Sequence, residues 1–192
     1  MNKYSGGIES CGGKMLYPLS PRVSDVSIEE IAHALGNKCR YTGHCRDFYS
    51  VAQHSVLVSE FVDRKLALAG LLHDSSEYIL PDVATPVKSR LKGFREIEEA
   101  VLDAVFKRFG ILSVRLSEPA MAEIKVADLA VMAIEVRDLM PGNPEYWSNL
   151  PEADPYRDVT NPWPPKEARQ KFLDRYEQIM EGMLHHVELE RA

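Results

Sequence analysis

His73-Asp74 closes the apolar run "LALAGLL", and Glu77 follows three residues later. Burying an imidazole and a carboxylate at a core edge costs free energy unless both find partners. One divalent cation satisfies the two together, and this donor mix suits Zn, Mn, Co, Ni or Fe. A helical turn would set Glu77 beside the pair, where its carboxylate could exchange a proton with water. The dipeptide also reads as an ordinary hydrogen-bonded helix end. Two further intrusions bear on that choice: His54 interrupts "SVAQHSVLVSEF", and Asp128 interrupts "IKVADLAVMAI". Singly, each is a satisfied core residue or a paired charge. Together they share a simpler explanation, a single divalent cation held by His54, His73, Asp74 and Asp128.

Composition narrows what such a centre would serve. The chain has 192 residues, 45% hydrophobic and 27% charged, which suits one soluble domain spanning 1–192. Lys plus Arg number 23 against 29 Asp plus Glu, a net charge of -6. That balance argues against a nucleic-acid polymer or a membrane surface as partner. It leaves small anionic substrates open, because local charge can oppose net charge. The longest apolar runs fall short of the roughly 18 residues of a membrane span. The polar, glycine-rich start has no signal-like apolar core. Cys11, Cys39 and Cys45, an odd count without a CxxC pair, point away from a disulfide framework. A reducing cytoplasm is the expected location.

The elements that must carry these residues read as helices. Residues 1–26 form an irregular lead-in with Gly and Pro breakers. Ser27 and Glu30 have capping-box spacing, and Ile28, Ile31, Ala32 and Leu35 give an apolar stripe before Gly36-Asn37. Residues 51–62 favour helix, a nearly all-apolar helix runs through Leu72, and amphipathic helices follow at about 94–109, 119–140 and 166–186. Seven prolines and both tryptophans fall in 141–165, a long ordered loop or lid before the last helix. The expected fold is an all-α bundle of about six helices.

The order H…HD…D, with its extended words, resembles the HD-domain metal-dependent phosphohydrolases. "FYSVAQHSVLVS", "LLHDSSEYILPDVATPVK" and "IKVADL" look like the 5′-deoxynucleotidase branch of YfbR/YfdR type, to which phage dATP triphosphohydrolases are similar. The likeness spans roughly Lys14 to Asp138. It implies an HD-domain bundle with the same four ligands, and a catalytic role beside Asp74 for Glu77, which would position or activate water. Asp82 would contact a sugar 3′-hydroxyl, although an Asp after Pro81 is also a common turn former. Arg40 would grip phosphate and the Tyr41 ring would pack on the sugar, with Tyr41 and Pro86 shaping the base pocket. Lys88 and Lys125 would hold phosphate oxygens; Lys125, three residues before Asp128, shares its helix face.

The implied activity is hydrolysis of deoxynucleoside 5′-monophosphates to deoxynucleosides and phosphate, with Mg as a possible second, substrate-bound ion. Release of triphosphate from deoxynucleoside triphosphates is the alternative. A signalling-nucleotide hydrolase and a non-catalytic nucleotide-binding scaffold rank lower. Family members are dimers or hexamers, so a homo-oligomer is expected.

Overall fold

The computed structural model describes residues 6–111, 117–142, 144–159 and 161–191. It is an all-α bundle with one small hairpin. β1 (Ile8–Glu9) pairs antiparallel with β2 (Met15–Leu16), Ile8 opposite Leu16. The helices are α1 (Ile28–Asn37), α2 (Val51–Phe61), α3 (Ala67–Leu71), α4 (Thr85–Lys88), α5 (Phe94–Arg108), α6 (Glu118–Leu139) and α7 (Pro165–Arg191).

α2 is the central element and packs on α1, α3, α6 and α7. All but Leu57 of Val51–Ser59 are buried, the polar Gln53, His54, Ser55 and Ser59 among them. Ser50 starts it by accepting from the Gln53 amide. Surrounding helices are amphipathic and bury one face each: Ile31, Ala32 and Leu35 on α1, Val101, Ala104 and Val105 on α5, Ala168, Phe172 and Ile179 on α7.

α1 and α7 approach closely at Gly36. A Cβ there would sit 2.9 Å from the Pro165 carbonyl oxygen and 3.2 Å from the Arg169 amide nitrogen. In an open helix, Gly→Ala gains about 1 kcal/mol. Here the clash is with backbone, which cannot rotate away, so the sign reverses. Gly36→Ala is expected to destabilise by about 1–3 kcal/mol, read as a lower urea midpoint.

Several expectations need correction. The lead-in, of which residues 1–5 lie outside the described residues, holds the hairpin and a 3-10 turn at Val23–Asp25. Only half of the capping box forms: Ser27 accepts from the Glu30 amide, but the Glu30 carboxylate reaches Ser10 of the hairpin turn at 2.6 Å. The apolar helix does not run through Leu72. α3 stops at Leu71, Leu72 and Asp74 adopt φ near -100° with ψ near zero, and a 3-10 turn spans Ser75–Tyr78. That turn is gripped between α1 and α5.

The proline-rich stretch is a pinned strap, with Asn143 and Thr160 outside the described residues. Arg137 donates to the carbonyls of Asp154 and Arg157. Asp138 accepts from the Val159 amide, and Gln53 from the Trp163 amide. Val159 packs with Tyr49, Ile134 and Leu139. Among the described residues, no helix is long and apolar enough to cross a membrane.

Candidate metal centre

Two imidazoles meet at the centre of the bundle. His54, on α2, is fully buried; His73 sits where α3 breaks off. Their ring centroids are 5.3 Å apart. Each ring is fixed through Nδ1: His54 to Glu135 Oε1 at 2.7 Å, His73 to the Gly70 carbonyl at 2.7 Å. Both acceptors lack a proton, so each Nδ1 donates, and in a neutral ring each Nε2 is the nitrogen free to bind a cation. Neither buried Nε2 has a hydrogen-bond partner. Orphaned nitrogens at a core are costly, and imidazoles oriented in this way are typical metal ligands.

Carboxylates complete the set. Asp74 Oδ2 lies 3.3 Å from His73 Nε2 and 3.7 Å from His54 Nε2. One donor atom from each of His54, His73 and Asp74 falls within 4.8 Å of the others, a spacing that could hold a metal ion. Asp128 Oδ1, on α6, approaches His54 Nε2 at 3.2 Å. Two carboxylates and two neutral imidazoles carry a formal charge that a divalent cation cancels, so charge and donor type both fit.

The electrostatics agree. Burial opposes ionisation of Asp74, but His73, His54 and Arg40 outweigh it and hold its carboxyl far below the usual range. Burial opposes ionisation of Asp128 too, and His54, His73 and Lys125 again prevail. Burial and Arg40 disfavour a charged His54 ring, yet Glu135 and Asp128 lift its pKa to about 9. His54 Nε2 therefore sits in a field that favours positive charge.

Of the expected substrate residues, Arg40 and Lys125 contact acids of this centre. Residues 40–49 leave and rejoin the body where Cys39 and Ser50 bridge and the Arg40 amide donates to the Tyr49 carbonyl at 2.9 Å. The excursion opens with left-handed backbone at Tyr41 (φ 52°), Thr42 (φ 51°) and Gly43 (φ 81°). Only the glycine adopts this freely; such residues cost about 1–3 kcal/mol each and cluster at functional sites. Arg40 is buried, with Nη1 3.6 Å from Asp74 Oδ2. The Tyr41 ring meets Trp147 of the strap edge-on at 6.0 Å. Arg46, near in sequence, instead points to the α6 end, donating to the carbonyls of Asp138 and Met140.

Glu77 is buried, and its Oε2 has no partner. Burial, reinforced by Asp74 and Asp82, pushes its pKa up to about 8. Asp82 is half-buried, and burial raises its pKa, against the pull of Arg40. Lys125, largely exposed, donates to Asp128 Oδ2 at 2.6 Å. Lys88 pairs with Glu98 at 2.7 Å and feels the charges of Glu77 and Asp74. Pro86 is exposed in the first turn of α4.

Sequence reasoning missed three residues of this site. Glu135 is fully buried and accepts from His54, Arg40, Tyr41 and Tyr49. Its signal was present: it lies seven residues after Asp128, two helical turns along the same face of α6. Tyr49 gave no comparable signal. Lys38 donates to the carbonyls of Glu77 and Leu80, tying down both ends of the segment that carries Glu77.

No protein-family model matches the chain. It is 34% identical over 176 residues to the uncharacterized protein YfdR of Escherichia coli strain K12, covering 91% of this chain and 96% of that protein. An uncharacterized protein of Rhodobacter capsulatus is 33% identical over 193 residues, covering 89% of this chain and 94% of the relative. With a third of its residues shared along nearly the full length of both, the chain belongs to the YfdR family.

Proposed function

We propose that the chain is an HD-type, divalent-metal-dependent phosphohydrolase that converts deoxynucleoside 5′-monophosphates to deoxynucleosides and phosphate. One observation carries the reading: two buried, partnerless Nε2 atoms converge on Asp74, with Asp128 beside them. When bound, a divalent cation supplies Lewis-acid polarisation of a phosphoryl oxygen and lowers the pKa of water. Co, Mn, Zn, Ni or Fe suits the donor set.

The protein's own groups do the rest. Glu77 takes the proton as water oxygen attacks phosphorus in line; the P–O5′ bond breaks, and the proton ends on the departing 5′-oxygen. Arg40 directs Nη1 toward the metal side, where it meets a phosphoryl oxygen as charge builds. Lys88 and Lys125 add positive charge from α4 and α6. Asp82 receives the sugar 3′-hydroxyl, and Tyr41, backed by Trp147, walls the sugar. A cytoplasmic homo-oligomer belongs to the same proposal.

A panel of dNMPs, NMPs and dNTPs with Co, Mn, Zn and Mg tests it, with phosphate, pyrophosphate and triphosphate measured separately. Cation-dependent phosphate release from dNMPs is expected. Triphosphate release from dNTPs would replace the monophosphatase reading with the triphosphohydrolase one, and no hydrolysis of any substrate would refute both.

A further inference from the structure

We propose that Glu135 is a positioning residue that holds His54 in its metal-binding form and, through its other oxygen, aims Arg40 at the same centre. This inference rests on the metal reading above.

The two carboxylate oxygens divide the work. Oε1 accepts from His54 Nδ1 at 2.7 Å and from the Tyr49 hydroxyl at 2.8 Å. Oε2 accepts from Arg40 Nε at 3.2 Å and the Tyr41 hydroxyl at 2.8 Å, with Arg40 Nη2 also 3.2 Å away. An ionised carboxylate only accepts, so Nδ1 of His54 carries a proton, and in the neutral ring that a cation binds Nε2 is the free nitrogen. Arg40, held at Nε and Nη2, has Nη1 turned to Asp74. The Tyr41 phenol ties the left-handed turn at 41–43 to the same oxygen. With both oxygens saturated, the carboxylate has no freedom to rotate. A metal ligand, the anion-facing arginine and a strained turn therefore share one buried acceptor.

Were Glu135 only a satisfied buried charge, replacing it by an isosteric amide would cost stability and leave metal binding alone. The positioning role makes a different demand. Arg40 is donor-only, so the carbonyl of Glu135→Gln must face Arg40 and its NH2 must face His54 Nδ1. The imidazole then has to accept at Nδ1 and protonate Nε2, which blocks the ligand atom.

The test is cation affinity of the full chain, with Zn and Mn as probes. Glu135→Gln is expected to weaken binding roughly 10–100-fold with its circular dichroism unchanged. Arg157→Ala, which removes a surface pair with Glu60, should keep wild-type affinity. Imidazole 15N NMR of the Zn-loaded wild-type protein should show His54 protonated at Nδ1 and ligated at Nε2, a readout available even if Glu135→Gln fails to fold. Wild-type affinity in a folded Glu135→Gln, or a His54 proton on Nε2 in the Zn-loaded protein, would overturn the proposal. A wild-type chain that takes up no cation overturns the metal reading itself and this inference with it.

Discussion

Replacing Asp74 by alanine is expected to remove both cation binding and turnover. His54 Nε2, His73 Nε2 and Arg40 Nη1 converge on Asp74 Oδ2, at 3.7, 3.3 and 3.6 Å. Its loss leaves two imidazoles and Asp128 to hold the ion and unbalances the charge. His73→Ala should have the same outcome, since His73 supplies one of the two bare nitrogens. Neither change opens the apolar core, because both side chains line the centre at its half-buried rim. The variants should therefore keep wild-type circular dichroism while metal analysis and phosphate release fall to background. An Asp74→Ala protein that still holds a full equivalent of metal would show the ligand set to be wrong.

Glu77→Gln should separate binding from chemistry. The backbone of Glu77 is held by the Lys38 ammonium and by the 3-10 turn. Cation content is expected to stay at the wild-type level while kcat drops about 10²–10⁴-fold, the usual worth of a general base. The raised pKa gives this a pH signature. Burial and the acidic neighbours move Glu77 from 4.5 to about 8, so the folded protein prefers it protonated. Its contribution to stability is therefore full below about pH 4.5 and is lost as pH rises toward 8. In chelator-treated protein, Glu77→Gln should raise Tm at pH 9 and change it little at pH 4. The wild-type rate should climb with pH as the carboxylate forms, and the variant's residual rate should lack that limb. Near-wild-type turnover in Glu77→Gln would remove Glu77 from the mechanism.

The residues of the candidate centre were legible because they break a pattern. A histidine or aspartate inside an apolar helix must be satisfied; His54, His73 and Asp74 come together in one cluster, and Asp128 reaches His54 from α6. Glu135 breaks the pattern of α6 in the same way, but Arg137 and Asp138 follow it at once, and the run reads as a solvated helix end. Arg137 and Asp138 do bond each other there, near the surface, while Glu135 turns inward. Tyr49 and Lys38 were invisible for another reason. Their partners lie 86 and 39 residues away, and no local spacing encodes that. Helix faces followed from periodicity, yet the break after Leu71 did not, since apolar content continues through Leu72 and only backbone geometry ends α3. The hairpin escaped because its strands are two residues long and stabilised by Ser10 reaching Glu30 rather than by alternation.

Titrating the chelator-treated full chain with Mn, followed by the loss of free-ion EPR signal, tests the central claim most directly. One ion per chain is expected in the wild type and in Glu77→Gln, and none in Asp74→Ala. Failure of the wild type to bind Mn, Zn or Co, or binding that survives Asp74→Ala unchanged, would contradict a metal centre built on His54, His73, Asp74 and Asp128.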